Sequence, residues 1–159
     1  MRGNTKISLL DTPSFVNTEE SEKEIRFKIG AKLELMHKKK RHLTGIVYLH
    51  NIDVGMEGSP LVNLEIFKRV CGDKSMKNVI LASRSDRISG TADSTTDAEL
   101  QAMLDKGAQL SRFDGSTESG LAIIDSLLGR ETTVLAIQER RYLSPMVKKK
   151  LGLSDSDSE

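Results

Sequence analysis

The feature that most constrains this chain is its alternation of short apolar, β-forming runs with longer segments of helical period. The runs are KISLL (6–10), LTGIVYLHN (43–51), KNVILAS (77–83) and LSRFD (110–114). Between the first two lies VNTEESEKEIRFKIGAKLELMHKKKRH, acidic at its start and basic at its end, which complements a helix dipole. Ile25, Ile29, Leu33 and Met36 give it one apolar stripe. Pro60 after Ser59 reads as a cap followed by a first helical turn, and LVNLEIFKRVCG continues that helix to Gly72. Thr96 and Glu99 have capping-box spacing for a helix over TDAELQAMLDKGAQ, and TESGLAIIDSLLG supplies a last amphipathic helix. Strands alternating with helices predict an α/β fold with a mainly parallel sheet. The run LTGIVYLHN lacks clean alternation and is expected to be covered on both faces.

In such sheets ligands sit beyond the carboxyl ends of the strands. Those ends read Asp11-Thr12-Pro13-Ser14, His50-Asn51, Ser83-Arg84-Ser85-Asp86 and Arg112-Phe113-Asp114. Polar chemistry therefore gathers on one rim. Asp11 is placed where a strand-end carboxylate can hold Mg²⁺ through a bound water, with the stretch two or three residues on, Pro13-Ser14, facing a terminal phosphate through the Ser14 backbone N–H. On the residues alone, an ordinary strand terminus, with Asp favouring a turn and Pro stopping the ladder, takes precedence. Asp86 is placed to accept hydrogen bonds from a guanine base, with the stem of Arg84 along the ring; a plain polar loop is the competing reading. Asp114 has the alternative of a helix N-cap. His50 has no nucleophile or metal-spaced partner and reads as structural. Lys38-Lys39-Lys40-Arg41 reads as the solvated end of a helix in preference to a membrane or nucleic-acid patch. Cys71 reads as core.

Composition excludes more than it proposes. The formal charge of +1 gives no bulk attraction to nucleic acid or anionic lipid. One cysteine rules out an internal disulfide and suits a reducing compartment. No apolar run approaches the ~20 residues of a membrane span, and the N-terminus lacks a secretory h-region; the expected location is cytoplasmic. No Cys/His cluster has zinc spacing, and no Gly-x-Ser-x-Gly elbow is present.

Taken together, LLDTPSF, LTGIVYLHNI, FKRVCGD followed by MKNVILAS, and DKGAQLSRFDGSTES resemble successive blocks of a fungal P-loop GTPase group related to the immunity-associated and Toc-type GTPases. The resemblance runs from Lys6 to Gly129. It implies an incomplete three-layer G domain whose mainly parallel sheet lacks its first strands, with GTP as ligand and Mg²⁺ as cofactor. It further implies a partial G domain to about residue 130; beyond it, alternating apolar and charged residues predict a helical extension over 131–150, and composition a disordered acidic, Ser-rich tail over 151–159. By the same resemblance Asp11 is the magnesium-associated aspartate, with Thr12, Pro13 and Ser14 opening its switch loop. Ser83, Arg84 and Asp86 occupy the base-recognition motif, and Arg112 to Gly115, including Asp114, the loop that closes over the base.

Three departures set the functional expectation. Ser14 stands where the family has Gly, so a Cβ opposes the backbone flip toward a γ-phosphate. Ser83-Arg84 replaces the usual Asn or Thr followed by Lys. The 159 residues contain no Gly-x-x-x-x-Gly-Lys-Ser/Thr, the backbone cradle and lysine that hold polyphosphate. The sequence is thus expected to be a fragment, a truncated gene model or a degenerate paralogue, unable to hydrolyse GTP alone. Without the family's central strand, its sheet is expected to have unpaired edges and an apolar face that a partner or a preceding segment would cover. The competing reading is a non-enzymatic protein-interaction module that keeps a GTPase shape.

Overall fold

A computed structural model describes residues 6–12, 22–50, 60–83 and 94–138. Within them four α-helices alternate with three strands: α1 (Glu22–Lys38), β1 (Ile46–His50), α2 (Pro60–Cys71), β2 (Val79–Ser83), α3 (Ser94–Asp105), β3 (Gln109–Arg112) and α4 (Thr117–Leu127). Short 3₁₀ turns occupy Asp73–Asn78 and Ala136–Gln138. The strands lie in the order β1-β2-β3, all parallel. Parallel neighbours need a crossover that packs on the sheet, which α2 and α3 supply.

β2 is the hub because each of its residues is buried. Alternate side chains point to opposite faces of a strand, so VILAS serves two cores at once. Val79 and Leu81 join Leu64, Phe67 and Cys71 of α2 and Leu100 and Met103 of α3. Ile80 and Ala82 meet Ile123 and Leu127 of α4 on the other face. α2 carries a second stripe, Ile66 and Val70, which packs against Ile25, Ile29 and Leu33 of α1. The periodicity read from the sequence for α1 is the one that is buried, with Met36 partly exposed at its end. Cys71 is buried in the core, as expected.

The strand ends opposite the rim are tied together by the segment that follows α4. Thr133 N–H donates to Leu43 O at 2.8 Å. The Asn78 amide donates to Thr44 O at 2.9 Å and to Glu131 O at 2.7 Å. The Arg130 guanidinium donates to Lys77 O at 2.9 Å and to Gln109 Oε1 at 2.6 Å. Gln138 bridges Leu33 O and the N–H of Leu135. Residues 133–138 are therefore packed on the core, whereas the expected C-terminal extension and acidic tail from residue 139 on lie outside the described residues.

Four expectations change. The run KISLL forms no strand: residues 6–12 pair with no sheet neighbour among the described residues. Leu9 is largely exposed, and only Leu10 touches the core, beside the α1–α2 cluster. A strand is held by its neighbour's hydrogen bonds, and β-propensity alone does not supply them. β1 is not covered on both faces. Ile46 and Tyr48 pack toward α2, but Val47 and Leu49 are 39% and 64% exposed, because α4 covers only the β2 side of that face. The helix expected to start at a Thr96 cap already begins at Ser94, and Glu99 pairs instead with Lys68 of α2. Finally, Asp114 is not the cap of α4; Ser116 is.

Candidate functional site

The rim is assembled by strand register. His50 of β1 lies level with Ser83 of β2, and Ser83 with Arg112 of β3, so three strands end in a row. The Phe113 N–H donates to Ser83 O at 2.7 Å, which carries the β2–β3 ladder one residue past the strand end. Ser83 is buried, Arg112 is exposed, and the partly buried Phe113 turns back onto the Ile80–Ile123 cluster. The chain then leaves the sheet at Asp114.

Asp114 is held by its own loop. Gly115 takes a φ of 88°, a left-handed conformation that a glycine adopts without a Cβ penalty. That turn brings the Ser116 N–H to 2.9 Å and the Ser119 hydroxyl to 2.8 Å from Asp114 Oδ1. The Ser116 hydroxyl meanwhile accepts from the Ser119 N–H at 3.1 Å, capping α4. Ser116, through its hydroxyl and its N–H, and then Ser119 hold the Asp114 carboxyl well below the usual carboxylate range, with the charge of Arg112 adding to the effect. The bonds from the Ser116 N–H and the Ser119 hydroxyl both fall on Oδ1. The group is an exposed carboxylate, ionised at neutral pH, beside the ends of β2 and β3.

The residues expected to serve a nucleotide divide into three groups. Ser83, Arg112 and Asp114 are brought together at the ends of β2 and β3. Asp11 and Thr12 are exposed and belong to a segment outside the sheet. Pro13, Ser14, Arg84 and Asp86 lie outside the described residues, as does the His50 side chain. Sequence reasoning missed Ser116 and Ser119, the groups that fix Asp114. Their signal was present in Asp-x-Ser-x-x-Ser: Asp bonds the N–H two residues on, and Ser the N–H three residues on.

Of the residues implied for magnesium, Asp11 offers one exposed carboxylate on a stretch outside the sheet. Among the described residues no three His, Cys, Asp or Glu side chains gather where they could hold a metal. No step is assigned to one. Among the same residues, no helix is long and apolar enough to cross a membrane. No family model, curated protein or solved structure matches this chain.

Proposed function

We propose that the chain is a guanine-nucleotide-type G domain that keeps the base end of the site and does not itself hydrolyse GTP. The supporting observation is the level ending of three parallel strands, with Ser83 and Arg112 side by side and the ionised Asp114 just beyond. Ligands in open parallel sheets occupy that position. Phosphoryl transfer needs positioned charge around the phosphates, and these 159 residues contain no Gly-x-x-x-x-Gly-Lys-Ser/Thr cradle. The reading thus puts weak, base-directed affinity on the rim and none on the polyphosphate.

The test is amide NMR on the full chain with guanosine, GMP and GTP, each set against its adenine counterpart. Guanine compounds are expected to shift the amides of Ser83, Arg112, Phe113 and Asp114 at millimolar concentration. GTP should bind no tighter than GMP, and Mg²⁺ should change nothing. Silence at those amides removes the base-end reading. Micromolar, magnesium-dependent GTP binding removes the claim about the phosphates.

A second reading, the protein-interaction module, is favoured by β1. IVYLH carries no Lys, Asp, Glu or Pro to discourage pairing, and it exposes Val47 and Leu49 on one face. Under this reading Leu49→Lys abolishes capture of a partner while leaving the melting temperature unchanged, since Leu49 is already mostly in water.

A further inference from the structure

The end of α1 carries the densest positive charge on the described surface. Lys38, Lys39, Lys40, Arg41 and His42 are consecutive and exposed, and the exposed Lys32 lies earlier on the same helix. Lys32, Leu35, Lys38 and Lys39 share a helix face by their three- and four-residue spacing. On that face Leu35 is 48% exposed. Among the described residues, Lys32, Lys38, Lys39, Lys40 and Arg41 take part in no ion pair. Glu34, the nearest carboxylate in sequence, is buried and meets none of them.

A solvated helix end accounts for part of this arrangement. Cations near a helix C-terminus offset the macrodipole, but that benefit fades within the last turn. It does not account for Lys40. The helix closes with Arg41 N–H donating to Met36 O and Lys40 N–H to His37 O, both at 2.9 Å, the double bond of a Schellman cap. Such a cap puts its penultimate residue in the left-handed region, and Lys40 has φ 54°, the only non-glycine residue with positive φ among those described. Glycine is the favoured residue there because any Cβ is strained. A lysine at that point costs the cap stability and adds one more charge to the cluster. Local strain retained beside a functional-looking surface motivates a search for its use.

We propose that this basic turn, with Leu35 beside it, is a docking surface for an anionic lipid bilayer. Lysines around an exposed leucine suit an interface in which charge meets headgroups and the apolar side chain enters the acyl boundary. Nucleic acid fits less well. The turn offers no Phe, Tyr or Trp on which a base could stack. Its two rings, His37 and His42, pack edge to face against each other with centroids 5.6 Å apart. Attachment is peripheral, independent of the nucleotide reading, and weak enough that salt reverses it.

The experiment is co-sedimentation of the full chain with phosphatidylcholine vesicles, with and without phosphatidylserine, at low and high salt. Binding is expected only with phosphatidylserine and only at low salt. Each cation is worth roughly fivefold in partitioning, so Lys38→Gln, Lys39→Gln and Lys40→Gln together should cost roughly a hundredfold. Lys40→Gly separates binding from folding: it should raise the melting temperature by relieving the strained cap, yet lower partitioning roughly fivefold. Leu35→Ser should also weaken partitioning. The proposal is overturned if phosphatidylserine brings no binding, or if the triple variant binds like the parent. It also falls if Leu35→Ser has no effect, or if an oligonucleotide at matched charge displaces the protein from vesicles.

Discussion

Asn78 gives the sharpest test of how this fold is held. Its side chain is 2% exposed and lies where β1, β2 and the segment after α4 converge. Nδ2 donates to Thr44 O and Glu131 O, while Oδ1 has no partner. Asn78→Ala removes two donors and strands two carbonyl oxygens, at about 1 kcal/mol for each lost bond. Nothing is lost on the Oδ1 side, and the small void adds a fraction more. The expected destabilisation is about 2–3 kcal/mol. Asn78→Asp keeps the shape but sets a carboxylate against two acceptors, which raises the cost to about 3–5 kcal/mol at neutral pH. Urea unfolding followed by circular dichroism measures both. Hydrogen exchange at the Thr133 amide, which donates to Leu43 O, reports whether the bridge beside Asn78 opens first. An Asn78→Ala variant within about 0.5 kcal/mol of the parent, or one that is destabilised with Thr133 exchange unchanged relative to the core, would refute the assignment of Asn78 as the clasp.

Other expectations concern the turn geometry and the titrating groups. Gly72 has φ 74°, and a Cβ there would lie 2.6 Å from Ala136 Cβ; Gly72→Ala should cost about 2–3 kcal/mol in urea melts, combining the left-handed penalty with the clash. Ser116→Ala, which deletes the α4 cap, should cost about 1 kcal/mol. Because the Asp114 carboxyl is held below its ordinary range, its contribution is fully present above the unfolded value near 3.8 and fades as pH falls through the lower folded one; Asp114→Asn should flatten the acid limb of the melting curve. Burial pushes both the Cys71 thiol and the Tyr48 phenol up to about 12. Ionisation then favours the unfolded chain from the ordinary values of 9.0 and 10.0 upward, so stability is expected to drop as pH rises toward 12. For the same reason iodoacetamide should label Cys71 at neutral pH only as fast as the chain unfolds, and prompt labelling of the native protein would contradict its burial.

The sequence by itself determined the elements whose bonds are local. α1 follows from apolar residues four apart and a basic end, and α2 from Pro60 at its start and Gly72 just past its end. The apolar run KNVILAS announced the strand β2; that every residue of it is buried came from the packing of helices on both its faces. Each of these depends on the 3.6- or 2-residue period of one segment, which is written into the segment itself. Three of the four strand ends of the polar rim, at His50, Ser83 and Arg112, were legible in the same way, where apolar runs stop; Asp11 was not at one.

Tertiary structure decided everything that needed a neighbour. KISLL has the composition of a strand, yet among the described residues no strand pairs with it and it stays outside the sheet. LTGIVYLHN looked enclosed, but coverage depends on where α4 lies, and α4 stops short of Val47 and Leu49. Whether Asp114 or Ser116 capped α4 was settled by the turn at Gly115, which lets Ser116 reach the helix N–H and leaves Asp114 to anchor the loop. The left-handed Lys40 likewise could not be read from a run of four basic residues. Local periodicity fixes which residues share a face; only packing decides whether anything covers it.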